Sequence, residues 1–277
     1  MTASSSDIVV VLTGGSNNYN PNASIGGNPS SYPITGSLNN LFNNVSDVEA
    51  ATGTIDYRCV YIFNNNSINT IYNVQVYTTE LENAVSTIAI GIDSSSEVQK
   101  ITIGGSVTGG SFQISYKPPN QDTVEYRTVN YDLDPSTSAL NLKNQLLTIP
   151  TIDEINVSVS GTFFSRDFNI QFTGIEDKRS HDLIGVNTSG LTGASITGSV
   201  TKTTAGGPIN SIPTLLDVST TVPYDVSFYE TNSSTALFIG NLYPEEGFPL
   251  WIKRILPENS ESVAGDGFRL KILGSAI

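Results

Sequence analysis

The sequence predicts a mainly β protein: an antiparallel β-sandwich interrupted by a small inserted α+β domain. Three observations lead there. Short apolar–polar alternations bounded by Gly, Pro or Asn recur toward both ends of the chain. One stretch alone, 135–150 (PSTSALNLKNQLLTIP), carries a confident helical pattern. That helix lies between two glycine-rich stretches, 104–111 (GGSVTGGS) and 205–208 (AGGP), which read as hinges.

In chain order, 8–12 (IVVVL) reads as a short strand. The polar stretch 13–36 is rich in turn-forming residues and too long for an ordinary connection, so it reads as an extended arm that orders against a partner. Leu38, Leu41, Phe42 and Val45 at helical spacing predict a short, weak helix within 37–53. Strands follow at 55–65, 70–80 and 86–93, and again at 224–231, 235–242, 248–257 and 266–274. Between these sets, 111–117 and 124–132 form a hairpin. Asp134 caps the helix, Pro135 suits its first turn and Pro150 ends it. Ala139, Leu142 and Leu146 make its apolar stripe, flanked by Leu140 and Leu147. Strands at 155–161, 167–174 and 194–204 close the segment. The expected organisation is a strand and arm over 1–36, a host sandwich from 37–99 plus 208–277, and an inserted domain over 100–207.

Composition narrows the functional classes. Acidic residues outnumber basic ones 26 to 13, a formal charge of −13, which opposes binding to nucleic acid and to anionic membranes. The single cysteine, Cys59, rules out an intrachain disulfide or a cysteine-cluster metal site and reads as a core thiol. The N-terminal stretch has no basic segment and reads as lacking a secretory signal; no apolar run approaches the ~20 residues that span a bilayer.

No catalytic pattern emerges. The only histidine, His181, sits among charges in EDKRSHDLIG, with Asp177 and Asp182 as neighbours that could orient it for base chemistry; a solvated loop position is the expected reading. Residues 105–111 match the glycine spacing of a phosphate loop but carry serine where lysine is needed. Asp132, Asp134 and Asp266 lie in turns that could offer oxygen to calcium, without the twelve-residue loop pattern. Trp251, in PLWIKRILP, is either packed in the core, the favoured reading, or presented on a face.

Several segments resemble virion structural proteins of tailed bacteriophages: SNNYNPNASIGGNPSS, LNNLFNNVSDVEAATGTIDYRCVYIFNNNS and FPLWIKRILPENSESVAGDGFRLKI, with NVSVSG, FNIQFTG and LTGASITGSVTKTTAGG resembling a recurrent phage module. One departure is Lys253-Arg254 where paired arginines are common. The resemblance implies a non-enzymatic structural protein located in the virion, a capsid-decorating (cement) or tail/baseplate accessory subunit. It implies no cofactor and no metal, with homo-oligomerisation and other virion proteins as partners. Tyr19, Asn20, Pro21, Asn22, Tyr32, Trp251 and Arg254 are the expected partner contacts. The alternative is a carbohydrate-binding host-surface adhesin, with Trp251, Tyr224, Tyr229 and Tyr243 stacking on sugars.

Overall fold

The computed structural model describes residues 7–34, 36, 40–80, 84–93, 95–119, 121–207, 209, 211–261 and 267–276. Residues 1–6, Thr35, Leu38, Pro208 and Asp266 lie outside them. The chain divides into two compact units, Met1–Ser94 with Pro208–Ile277, and Ser95–Gly207. Strands β1 (Ile8–Thr13), β2 (Pro29–Pro33), β3 (Thr54–Asn64), β4 (Ile71–Glu80) and β5 (Thr87–Asp93), with helix α1 (Asp47–Thr52), open the first unit. The second holds β6 (Val98–Tyr116), β7 (Glu125–Asn130), α2 (Pro135–Leu146), β8 (Glu154–Thr162), β9 (Ser165–Thr173), β10 (Gly185–Asn187) and β11 (Leu191–Thr204). Then β12 (Val226–Tyr229), β13 (Leu237–Leu242), β14 (Gly247–Leu256) and β15 (Phe268–Ala276) complete the first unit.

The first unit is an antiparallel sandwich. A six-stranded sheet, β12-β5-β14-β3-β1-β2, faces a three-stranded one, β13-β4-β15. Alternation supplies the core between them: Val60 and Ile62 of β3, Val74 and Val76 of β4, Ile88, Ile90 and Ile92 of β5, and Leu250 and Ile252 of β14. Each such side chain removes apolar surface worth ~1.5–3 kcal/mol from water. The opposite face of β3 is covered as well, because Tyr57 and Cys59 pack with Trp251 and Leu216 under Ile25 and Phe228.

Two expectations for this unit are corrected. Residues 13–36 are not an extended arm: β2 pairs with β1, and a 3-10 turn at Pro21–Ala23 leads into Ser24, which is fully buried. The Ser24 hydroxyl accepts from Thr13 N (2.8 Å) and donates to the Cys59 carbonyl (2.6 Å), so turn-forming residues fold the stretch back onto the sheet. The helix expected within 37–53 shrinks to Asp47–Thr52. There Ser46 and Glu49 form a reciprocal capping box that fixes its start, while Leu41 reaches the core from non-helical backbone.

The second unit is built on β6, nineteen residues long. The stretch 104–111, expected as a hinge, lies inside it. Its glycines sit where the β6–β11 register shifts. Gly105 and Gly110 take φ of 96° and 95°, and a Cβ on either would run into the backbone of β11's approach, at Ser195 and Gly190. They bend a continuous strand so that its first half pairs with β9 and β11 and its second half with β7 and β10. Helix α2 starts where Asp134 accepts from Ser136 N and Thr137 N. Hydrogen bonds from Thr137, its hydroxyl first, pull the Asp134 carboxyl below its usual range. Ala139, Leu142 and Leu146 are buried against Phe112, Phe168 and Ile155, whereas Leu140 and Leu147 are exposed.

Candidate functional site

Among the described residues, a cluster of ionisable side chains lies in the second unit, around the start of β6. Period-two alternation places Glu97 and Gln99 on the same face as buried Ile101 and Ile103, so both point inward. A carboxylate there must be fully partnered. Glu97 Oε2 accepts from Lys202 Nζ (2.7 Å), His181 N (3.1 Å) and Gly206 N (3.3 Å), and Oε1 accepts from Gln99 Nε2 (2.7 Å). Gln99 Nε2 also donates to the Asp182 carbonyl (2.9 Å), and its Oε1 accepts from Ile184 N (2.8 Å).

His181 belongs to this cluster, which corrects its expected place on a solvated loop: it is only 4% exposed. Its ring stacks on Phe172 with centroids 3.8 Å apart. Nε2 lies 3.0 Å from the Glu176 carbonyl and therefore donates, leaving Nδ1 to accept from the Tyr116 hydroxyl at 2.9 Å. Burial pushes its pKa down to about 4, against the opposing pull of the Glu176 carbonyl and of Glu97. The ring is a neutral, locked spacer. Beside it Arg179 Nε lies 3.3 Å from Glu176 Oε2, both residues buried. The expected orienting acids, Asp177 and Asp182, are not the partners; Glu97 and Glu176 are. The signal in the sequence was the inward register of Glu97 in a strand that otherwise alternates Ile with polar residues.

Chemically this cluster is a latch. It fixes the irregular segment 174–184 to β6 and to the end of β11, and just beside it Gly207 N donates to Ser95 O (3.4 Å), so the two ends of the unit meet. The named hydrogen-bonding atoms of Glu97, Gln99 and the His181 ring are each turned to another protein atom.

The expected partner contacts fall into two sets. Tyr19 (75% exposed) and Tyr32 (46%) form an edge-on pair with centroids 6.0 Å apart. Asn20 Oδ1 accepts from Asn22 N in the turn that begins at Pro21, and Asn22 Oδ1 accepts from Arg58 Nη2 (3.1 Å). Trp251 (4%) and Arg254 (5%) are buried instead. Arg254 bonds Asp56 at 2.6 Å and the Asn43 carbonyl at 2.9 Å and lies over the Phe42 ring, as Arg58 does. Desolvation lowers the Arg58 pKa, with Asp56 opposing and Arg254 adding to the shift. Cys59 is a core thiol whose pKa burial pushes well up.

Other candidates dissolve. Asp132 Oδ1 accepts from Asp134 N, and Asp134 is occupied by the helix start. Among the described residues no three His, Cys, Asp or Glu side chains gather as a metal site. Residues 105–111 lie in a strand with no helix terminus to cradle a phosphate. A shallow cleft of about 160 Å³ in the first unit is lined by Asp93, Ser211, Tyr224, Asp225, Pro249 and Trp251.

No protein-family model matches the chain, and no curated protein matches it. Solved structures do. The D2-D3 domains of the flagellar cap protein FliD from Escherichia coli align over 80% of this chain and 100% of theirs, at 9% identity and a TM-score of 0.27. The D2-D3 domains of FliD from Serratia marcescens align over 72% of this chain and 99% of theirs, at 14% identity and a TM-score of 0.25. These findings correct the tailed-phage resemblance. The matched structures are flagellar cap domains rather than virion proteins, so the capsid, tail or baseplate role, the virion partners and the virion location fall away. At such TM-scores the likeness carries no argument about this chain's own partners.

Proposed function

We propose that this chain is a non-enzymatic structural subunit of a protein assembly. The observation that carries the reading is the way its ionisable groups are used. Glu97, Glu176, Arg179, His181 and Lys202 close on one another and on backbone, which makes these five a latch for the fold rather than a set of groups poised toward a substrate. The exposed Tyr19–Tyr32 pair, with Asn20, Pro21 and Asn22 beside it, is the proposed contact surface of the first unit, since aromatic side chains anchor protein interfaces. Density-gradient fractionation of the native source, with an antibody against this chain, tests the reading. Co-sedimentation with a large multi-subunit particle is the expected result, and a chain found only at its monomer mass would overturn it.

A further inference from the structure

We propose that the outer edge of β11 pairs with β11 of a second copy, extending the sheet of the second unit across a two-fold axis; this rests on the structural-subunit reading and names its contact. Among the described residues β11 hydrogen-bonds to β6 alone, and no strand pairs with its other side. Over Thr197–Lys202 the register with β6 runs without a break.

The direction of each main-chain group follows from its neighbours. Phe172 N donates to Glu97 O, and Gly105 N donates to Phe164 O, so odd-numbered residues of this part of β6 face β9. Even-numbered Lys100, Thr102 and Gly104 therefore face β11, where they oppose Thr201, Ser199 and Thr197. Gly198, Val200 and Lys202 are left with N–H and C=O directed outward.

Edges of this kind are normally blunted by proline, by free charge or by short length. The stretch 191–204 has no proline, and its one charged residue, Lys202, is held by Glu97 at 2.7 Å. Its exposed side chains, Thr197, Ser199 and Thr201, are small and favour cross-strand pairing with their like. The charge balance singles out this unit for self-contact. It carries 11 acidic and 8 basic residues, whereas the first unit carries 15 and 5, so like-charge repulsion is weak here and strong there. An antiparallel pairing of identical edges is self-complementary and closes as a dimer.

The test is amide hydrogen exchange on the purified full chain from micromolar to millimolar concentration, together with sedimentation equilibrium. Exchange at Gly198, Val200 and Lys202 should slow at least about tenfold as concentration rises, while Thr197, Ser199 and Thr201 stay protected throughout. Val200→Pro removes an outward donor without touching the β6 ladder and should weaken dimerisation about tenfold or more. If that variant loses protection at Thr197, Ser199 and Thr201, it has unfolded, and Ser199→Lys, which faces Thr102 rather than Lys100 on β6 and sets like charges across the axis, takes its place with salt restoring the dimer. A dimer that persists while the three outward amides exchange freely, or that protects β8 instead, overturns the proposal. So does a chain that stays monomeric at millimolar concentration; if that chain still co-sediments with a particle, the structural-subunit reading survives without this contact.

Discussion

The two units bury charge in different ways. In the first, two guanidinium groups, Arg58 and Arg254, lie over Phe42, hold the Leu41 and Asn43 carbonyls, and share a neighbourhood with one carboxylate, Asp56. In the second, two carboxylates, Glu97 and Glu176, are met by Lys202, Arg179, backbone N–H groups and a neutral imidazole. Both arrangements staple irregular backbone, 40–46 in one and 174–184 in the other, to a sheet. Guanidinium stays charged at any ordinary pH. Imidazole does not, and that difference gives the second staple a histidine-linked response to acid that the guanidinium groups of the first lack.

Glu97→Ala should separate the two most sharply. It strips acceptors from Lys202, His181 N, Gly206 N and Gln99 at once and should destabilise the second unit by ~3–5 kcal/mol in urea unfolding. Trp251 is the only tryptophan and belongs to the first unit, so its fluorescence should report little of that loss, whereas amide signals from β6 and α2 report it directly.

Acid should act next. His181 has a pKa of about 4 folded and about 6.5 unfolded, so the folded state binds fewer protons between those values. Its contribution is complete above pH ~6.5 and is lost as pH falls through ~4, amounting to about 3 kcal/mol. Urea melts across that window check it, and His181→Gln should flatten the slope for the second unit. Arg254→Lys keeps a charge beside Asp56 but loses the planar contact with Phe42 and the reach to Asn43, which should lower first-unit stability by ~1–2 kcal/mol, read from Trp251 fluorescence. Smallest is Ser46→Ala, which opens the capping box of α1 at ~1 kcal/mol in the same melts.

Much of the fold was legible because its causes are local. Alternation marked β3, β4, β5, β14 and β15, and Asp134, Pro135 and Pro150 bracket α2 by cap and proline chemistry alone. What escaped depends on distant partners. Gly105 and Gly110 carry hinge-like composition, and only the register against β11 shows that they lie inside one long strand, Gly105 at a bulge and Gly110 beside one. The stretch 13–36 is rich in turn formers, and Ser24 meeting the Cys59 carbonyl holds it folded back. His181 looks solvated because its flanks are charged, while the groups that bury it, Glu97 and Tyr116, lie far upstream. Trp251 is buried, as the favoured reading has it, and Arg254 is buried with it; which face of β14 is covered depends on what packs over it, Leu216 and Phe228 here, and that is not written in the strand.

The position of β14 carries one more consequence. It lies between β3 and β5 in the first unit's sheet, yet the chain reaches it only after Ser95–Gly207 has been made. On the ribosome the inserted unit is therefore complete while its host still lacks a central strand. Once the Glu97 latch shuts and Gly207 meets Ser95, the loop that separates β5 from β14 is shortened by the whole of that unit, and the entropy of closing the host sheet falls with it. The order of synthesis along the chain lets the inserted unit shorten the connection that its host must close.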